Sequence, residues 1–136
     1  MELELKRGGR TARVETLGGE LVSYRDERGL EYIWGGDPAY WPGRNPLLFP
    51  IVGMLKEGKI RFDGREYAME RHGFARRREF TPAARGEDWV RLELRESAET
   101  LALYPYPFRL AVEQRLTDTG FSTAVTVANP GEGPLP

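Results

Sequence analysis

Leu3 and Leu5 alternate with Glu2, Glu4 and Lys6, the period-two signature of a strand with one buried face, and the run ends at Gly8-Gly9. Residues 11–16 alternate again and stop at Gly18-Gly19. Two more strands are expected at residues 21–24 and 31–34, joined by the polar loop 25–29. Residues 59–62 and 65–69 flank Asp63-Gly64, and this pair between alternating runs predicts a hairpin with a type I′ turn. Residues 89–95 place Val90, Leu92 and Leu94 on one face, and residues 108–116 and 121–127 alternate on either side of a turn at 117–120. Ser97, three residues before Thr100, marks one helical turn within 96–103, which Pro105 and Pro107 end. Residues 129–134 form a final turn cluster. Short strands at intervals of about 8–12 residues, with no sustained helical period, predict an all-β sandwich forming one domain over residues 1–136.

Residues 35–50 break the pattern. Pro38, Pro42, Pro46 and Pro50 remove ladder donors, so an irregular crossing is expected there in place of a central strand. Its aromatics, Tyr40 and Trp41, have two readings. They cover the edge of the sandwich, or they offer an apolar face to the C–H surface of a sugar.

Composition narrows the function classes. The chain has 136 residues, 40% hydrophobic and 30% charged, with a formal net charge of −1. No overall field favours nucleic acid or an anionic membrane, and neither is expected as a partner. The absence of cysteine excludes a disulfide framework and a thiolate zinc site, and fits a reducing cytoplasm. The first residues lack an apolar signal-peptide core, and no run approaches the ~18 apolar residues of a membrane span.

The candidate chemistry gathers around His72, the one histidine of the chain. It falls just after a predicted strand and beside Gly73, where a scaffold hands over to a loop and backbone can approach a ligand closely. Arg71, Arg76, Arg77 and Arg78 surround it. They read either as a solvated strand end paired with Glu66, Glu70 and Glu79, or as a group of which one or two hold an oxygen-rich ligand such as a sugar phosphate.

The order of motifs from residue 17 onwards resembles the aldose 1-epimerase (galactose mutarotase) family. The likeness runs through residues 31–34, residues 36–41, residues 46–53, Asp63-Gly64 and His72-Gly73-Phe74-Ala75-Arg76. It implies the galactose mutarotase-like β-sandwich, or supersandwich, of which this chain is expected to be the N-terminal part. It also implies a monosaccharide substrate and general acid/base ring opening and closure at the anomeric carbon, with no metal or organic cofactor.

On that resemblance His72 is the catalytic histidine near the ring oxygen; Phe74, Arg76 and Trp41 are the candidate substrate-binding residues beside it. The family's second histidine, in a Gly-x-His-Pro type motif, and its C-terminal glutamate base have no counterpart here, so catalysis is expected to be incomplete in this chain. The alternative is a non-catalytic carbohydrate-binding or interaction module, for a phosphorylated sugar among others. Two positions depart from the family pattern: Met54 stands where an arginine is usual, and Arg77 where the motif commonly continues with aspartate. Sheet edges left open are expected to be covered by a second copy or a partner chain.

Overall fold

The structure, a computed structural model, describes residues 1–136. The alternating runs become two antiparallel sheets packed face to face. The first is three-stranded, β1 (Glu2–Arg7), β2 (Arg10–Glu15) and β3 (Glu20–Arg25) in sequence order. A separate hairpin follows, β4 (Lys59–Phe62) with β5 (Arg65–Ala68). The second sheet is four-stranded, β6 (Thr81–Arg85), β7 (Trp89–Arg95), β8 (Arg109–Leu116) and β9 (Phe121–Ala128), again in sequence order. A single turn, α1 (Ala98–Leu101), links β7 to β8.

The register explains the core. Leu3 lies opposite Val14 and Leu5 opposite Ala12 in one sheet, while Leu92 faces Val112 and Leu94 faces Leu110 in the other. Cross-strand partners share a face, so both sheets turn an apolar surface inward, where these residues are buried. Gln114 lies on the same inward face of β8, opposite Thr123. It is satisfied there, donating to the Gly19 carbonyl at 3.2 Å and accepting from the Thr123 hydroxyl at 2.6 Å.

The predicted turns hold for physical reasons visible in the backbone. Asp63 and Gly64 have φ of 47° and 79°, both positive as a type I′ turn demands. Ser97 accepts from the Thr100 amide at 3.3 Å while its own amide donates to Thr100 Oγ1 at 2.8 Å, a reciprocal cap on α1.

Two strand assignments change. Residues 31–34 do not form a strand beyond one bridge, Arg25 to Glu31. The Glu31 carboxylate itself takes the backbone donors a partner strand would use, the Tyr24 amide at 2.9 Å and the Ile33 amide at 3.0 Å. Conversely, β6 was not legible in the sequence. Every residue of it is exposed, Pro82 interrupts it, and its register shifts between Pro82 and Ala84, so no alternation survives.

At the far edge, β9 continues the inward face with Val125 opposite Val112 and Val127 opposite Leu110. The three-stranded sheet does not cover them, and they remain 50% and 47% exposed. No helix of the chain is long and apolar enough to cross a membrane.

Candidate functional site

Two loops are laced together at one end of the sandwich. The Phe49 carbonyl accepts from the amides of Phe74 at 2.9 Å and Ala75 at 3.2 Å, and Phe49 forms a parallel bridge with Gly73. Gly73 has φ of 70°, and a Cβ there would lie 2.1 Å from the Phe49 carbonyl oxygen, so only glycine fits this crossing. Below it, Phe49, Phe74 and Phe108 pack with ring centroids 5.1–6.0 Å apart and anchor both loops to the core.

His72 is held in this lacing by two hydrogen bonds of its own. Its backbone sits in the left-handed region at φ 68°. Its amide donates to the Gly53 carbonyl at 2.8 Å, and the Gly53 amide donates to its Nδ1 at 2.8 Å. A nitrogen that accepts an amide hydrogen carries no proton, so the neutral ring keeps its hydrogen on Nε2. Nε2 makes no hydrogen bond within the protein and is not among the fully buried polar atoms that lack a partner. The imidazole is thus a fixed donor, half-buried, at the wall of a cavity.

That cavity is about 550 Å3 and is lined by Trp41, Arg44, Asn45, Pro46, Leu48, Arg71, His72 and Arg76. The proline-rich crossing supplies one wall. The Trp34 indole N–H donates to the Trp41 carbonyl at 2.8 Å, and the Trp41 and Tyr40 amides both donate to the Asp37 carbonyl. The Trp41 ring then lies close against Gly43, where a Cβ would come 2.6 Å from it.

The structure brings Trp41, His72 and Arg76 to one cavity. It places Phe74 elsewhere: its ring is 4% exposed and turned into the core against Phe49 and Phe108, so it supports the loop from beneath and does not reach the cavity. Sequence reasoning missed Arg44 and Asn45, polar residues enclosed by Pro42, Gly43 and Pro46 in the crossing.

The basic cluster divides. Arg77 pairs with Glu70 at 2.6 Å and Arg78 pairs with Glu99, the solvated reading. The other two expected acids are engaged elsewhere, Glu66 with Lys59 and Arg61, and Glu79 with the N-terminal amine and Thr16. Arg71 and Arg76 have no carboxylate partner and face the cavity. Met54 is 75% exposed and does not line it. No group of three or more His, Asp or Glu side chains is placed to hold a metal ion.

The strongest carboxylate perturbation lies away from this cavity, at Asp26. Burial would push its carboxyl up, but the Leu30 and Arg28 amides, the Arg28 guanidinium and the Tyr32 hydroxyl bring it down to about 2. Asp26 fastens the loop after β3, both of its carboxylate oxygens being taken up by these bonds.

Comparisons with known proteins bear on the family and the fold. The sequence model of the family described as aldose 1-epimerase matches residues 1–136. Two forms of protein LacX from Lactococcus lactis subsp. lactis, plasmid and chromosomal, are 39% and 38% identical over 134 residues. Those matches cover 95% of this chain and 45% of each relative, so the chain spans less than half their length. Among solved structures, a galactose mutarotase related enzyme from Lactobacillus acidophilus superposes with a TM-score of 0.92 at 27% identity, over 95% of this chain and 43% of that one. A galactose mutarotase-like protein from Lactobacillus casei gives 0.91 at 32% identity, over 95% and 44%. Matched by the family model from end to end and built on the galactose mutarotase-like β fold, the chain belongs to the aldose 1-epimerase family.

Proposed function

We propose that the His72 cavity binds a monosaccharide and contributes the ring-oxygen side of an aldose 1-epimerase site. The observation that carries this reading is the Gly53 amide on His72 Nδ1, which leaves Nε2–H as a fixed donor toward the cavity. In anomer exchange a base takes the proton of the anomeric hydroxyl, an acid delivers one to the ring oxygen, and the C1–O bond of the ring breaks. The open aldehyde turns about C1–C2 and the steps reverse. A donor held near the ring oxygen stabilises the charge that develops there as the bond breaks. Trp41 offers its face to the sugar's C–H surface, and Arg76 donates to its hydroxyl oxygens.

No carboxylate lines the cavity, and His72 is the one histidine of the chain. The base and the second acid therefore come from groups other than these. Each such group is typically worth ~10²–10⁴-fold, so this chain alone is expected to catalyse mutarotation far more slowly than a complete site. Polarimetry on freshly dissolved α-galactose tests this. Rapid equilibration by the chain alone, abolished in His72→Ala, would show that the proton traffic is complete here after all.

A second reading, a non-catalytic binding module for a sugar phosphate, is favoured by the arginines on the cavity wall that lack carboxylate partners. Sugar binding without anomer exchange at any rate distinguishes it. In either reading, the half-exposed Val125 and Val127 on the inward face of β9 favour coverage by a second copy or a partner chain, which light scattering reads directly.

A further inference from the structure

We infer that β9 is a docking edge for a second copy of this chain, two β9 strands pairing antiparallel about a twofold axis at Ala124. The inference rests on the reading above that the inward face of β9 needs a covering chain, and commits that reading to one occupant and one register.

The two sheets have four edge strands, β1, β3, β6 and β9, and three of them are closed to pairing. On β1, Glu2, Glu4 and Lys6 are charged, and the Lys6 amide already donates to the Glu87 carbonyl at 2.9 Å. On β3, the Tyr24 amide donates to the Glu31 carboxylate and the Tyr24 carbonyl accepts from the Tyr32 amide. On β6, Pro82 and the register shift that follows it interrupt the ladder. The separate β4–β5 hairpin carries Lys59, Arg61, Arg65 and Glu66. Charges, prolines, bulges and covering loops all keep an edge from recruiting another strand. β9 has none of these. It contains no charge, proline or glycine, and it pairs with β8 over all 8 residues without a register shift.

The open edge and the uncovered face belong to the same residues. The Thr117 amide donates to the Gly120 carbonyl at 2.8 Å, which fixes the phase of the alternating bonds between β8 and β9. In that phase Ser122, Ala124, Thr126 and Ala128 exchange backbone bonds with β8, while the N–H and C=O groups of Phe121, Thr123, Val125 and Val127 point to the free edge. No loop of the chain takes these groups up. Their side chains lie on the inward face, where Val125 and Val127 are half-exposed.

A twofold axis perpendicular to the sheet keeps the inward faces of both copies on one side. Centred on Ala124, it sets Thr123 opposite Val125 of the second copy and Phe121 opposite Val127 of the second copy. Every edge-facing residue then meets another, donor against acceptor, and Val127 gains an aromatic neighbour. The two Ala124 side chains meet on the outer face as a close, non-hydrogen-bonded pair, where a small residue fits. Recognition of a different chain at a strand edge takes its specificity from side-chain pockets beside that edge, and the outer face of β9 offers Ser122, Ala124, Thr126 and Ala128. A neutral strand, by contrast, brings no like charges together when it meets itself. With one open edge per copy, the pairing closes at two chains.

Sedimentation equilibrium of the full chain should show a reversible monomer–dimer system with no larger species. Hydrogen exchange should find the amides of Thr123, Val125 and Val127 protected in the dimer and released on dilution. Ala124→Lys places a charge on an exposed outer position, so the fold should stand while dimerisation weakens about tenfold, each lysine facing its own copy. Ala124→Glu should weaken it likewise, and mixing the two variants should restore dimers. Val125→Pro removes an N–H that β8 does not use, and should abolish dimerisation while the β8 ladder remains. Ala84→Lys, on the interrupted β6 edge, should change nothing. A chain that stays monomeric at every concentration overturns the inference and leaves coverage of β9 to a different partner chain. A dimer in which those three amides exchange freely, or in which mixing Ala124→Lys with Ala124→Glu restores nothing, overturns the β9 pairing. Growth into open fibres overturns the closed arrangement.

Discussion

The backbone amide of Gly53 points at Nδ1 of His72 from 2.8 Å, while the His72 amide returns a bond of the same length to the Gly53 carbonyl. One glycine thus sets both the backbone and the ring of the histidine, and with them the tautomer. It follows that His72 should show the Nε2–H tautomer when neutral. Ring ¹⁵N shifts of histidine-labelled protein report this directly, because the chain has a single histidine. A ring protonated on Nδ1, or a mixture of tautomers, would contradict the geometry.

Gly73→Ala should destabilise the protein by about 3 kcal/mol or more. The new Cβ meets the Phe49 carbonyl at 2.1 Å, and φ of 70° disfavours any L side chain. Urea denaturation measures the loss. A change below about 0.5 kcal/mol would mean that the two loops are not laced as described.

Much of the sandwich was legible in the sequence because its inward faces alternate: Leu3 with Leu5, and Val90, Leu92 and Leu94, are buried as their spacing predicts. The reading failed where that signal is absent or borrowed. Residues 31–34 look like a strand, yet Glu31 replaces strand partners with its own carboxylate. The exposed, proline-containing β6 has no alternation to read. At the site, His72 and Arg76 stood out as a lone histidine and a basic cluster, but Phe74 in the same motif turns inward. Arg44 reaches the cavity from a loop nearly thirty residues earlier, a juxtaposition set by tertiary contact alone.

Trp41→Ala should weaken hexose binding by about 1 kcal/mol with little change in stability, because the ring is already 49% exposed. Gly43→Ala should do the same through the ring, since its Cβ would come 2.6 Å from Trp41. Calorimetric titration with unfolding controls checks both. If Gly43→Ala binds hexose as the parent does, Trp41 is not the platform.

Asp26 gives a stability signature in acid. Its folded carboxyl lies at about 2 against an ordinary 3.8, so its stabilisation is complete above about pH 4 and is lost as pH falls toward 2. Asp26→Asn should lower stability at neutral pH and flatten the decline between pH 4 and 2. An unchanged acid slope in that variant would contradict the role given to the Asp26 bonds.

The central claim, that His72 donates through Nε2 to a bound sugar, is tested most directly by titrating the ¹⁵N-histidine-labelled chain with galactose and with glucose. The account predicts that the Nε2–H signal moves saturably while Nδ1, held by Gly53, stays nearly still, and that Trp41→Ala weakens the response. Sugar that binds without moving Nε2–H, or moves Nδ1 instead, would contradict it.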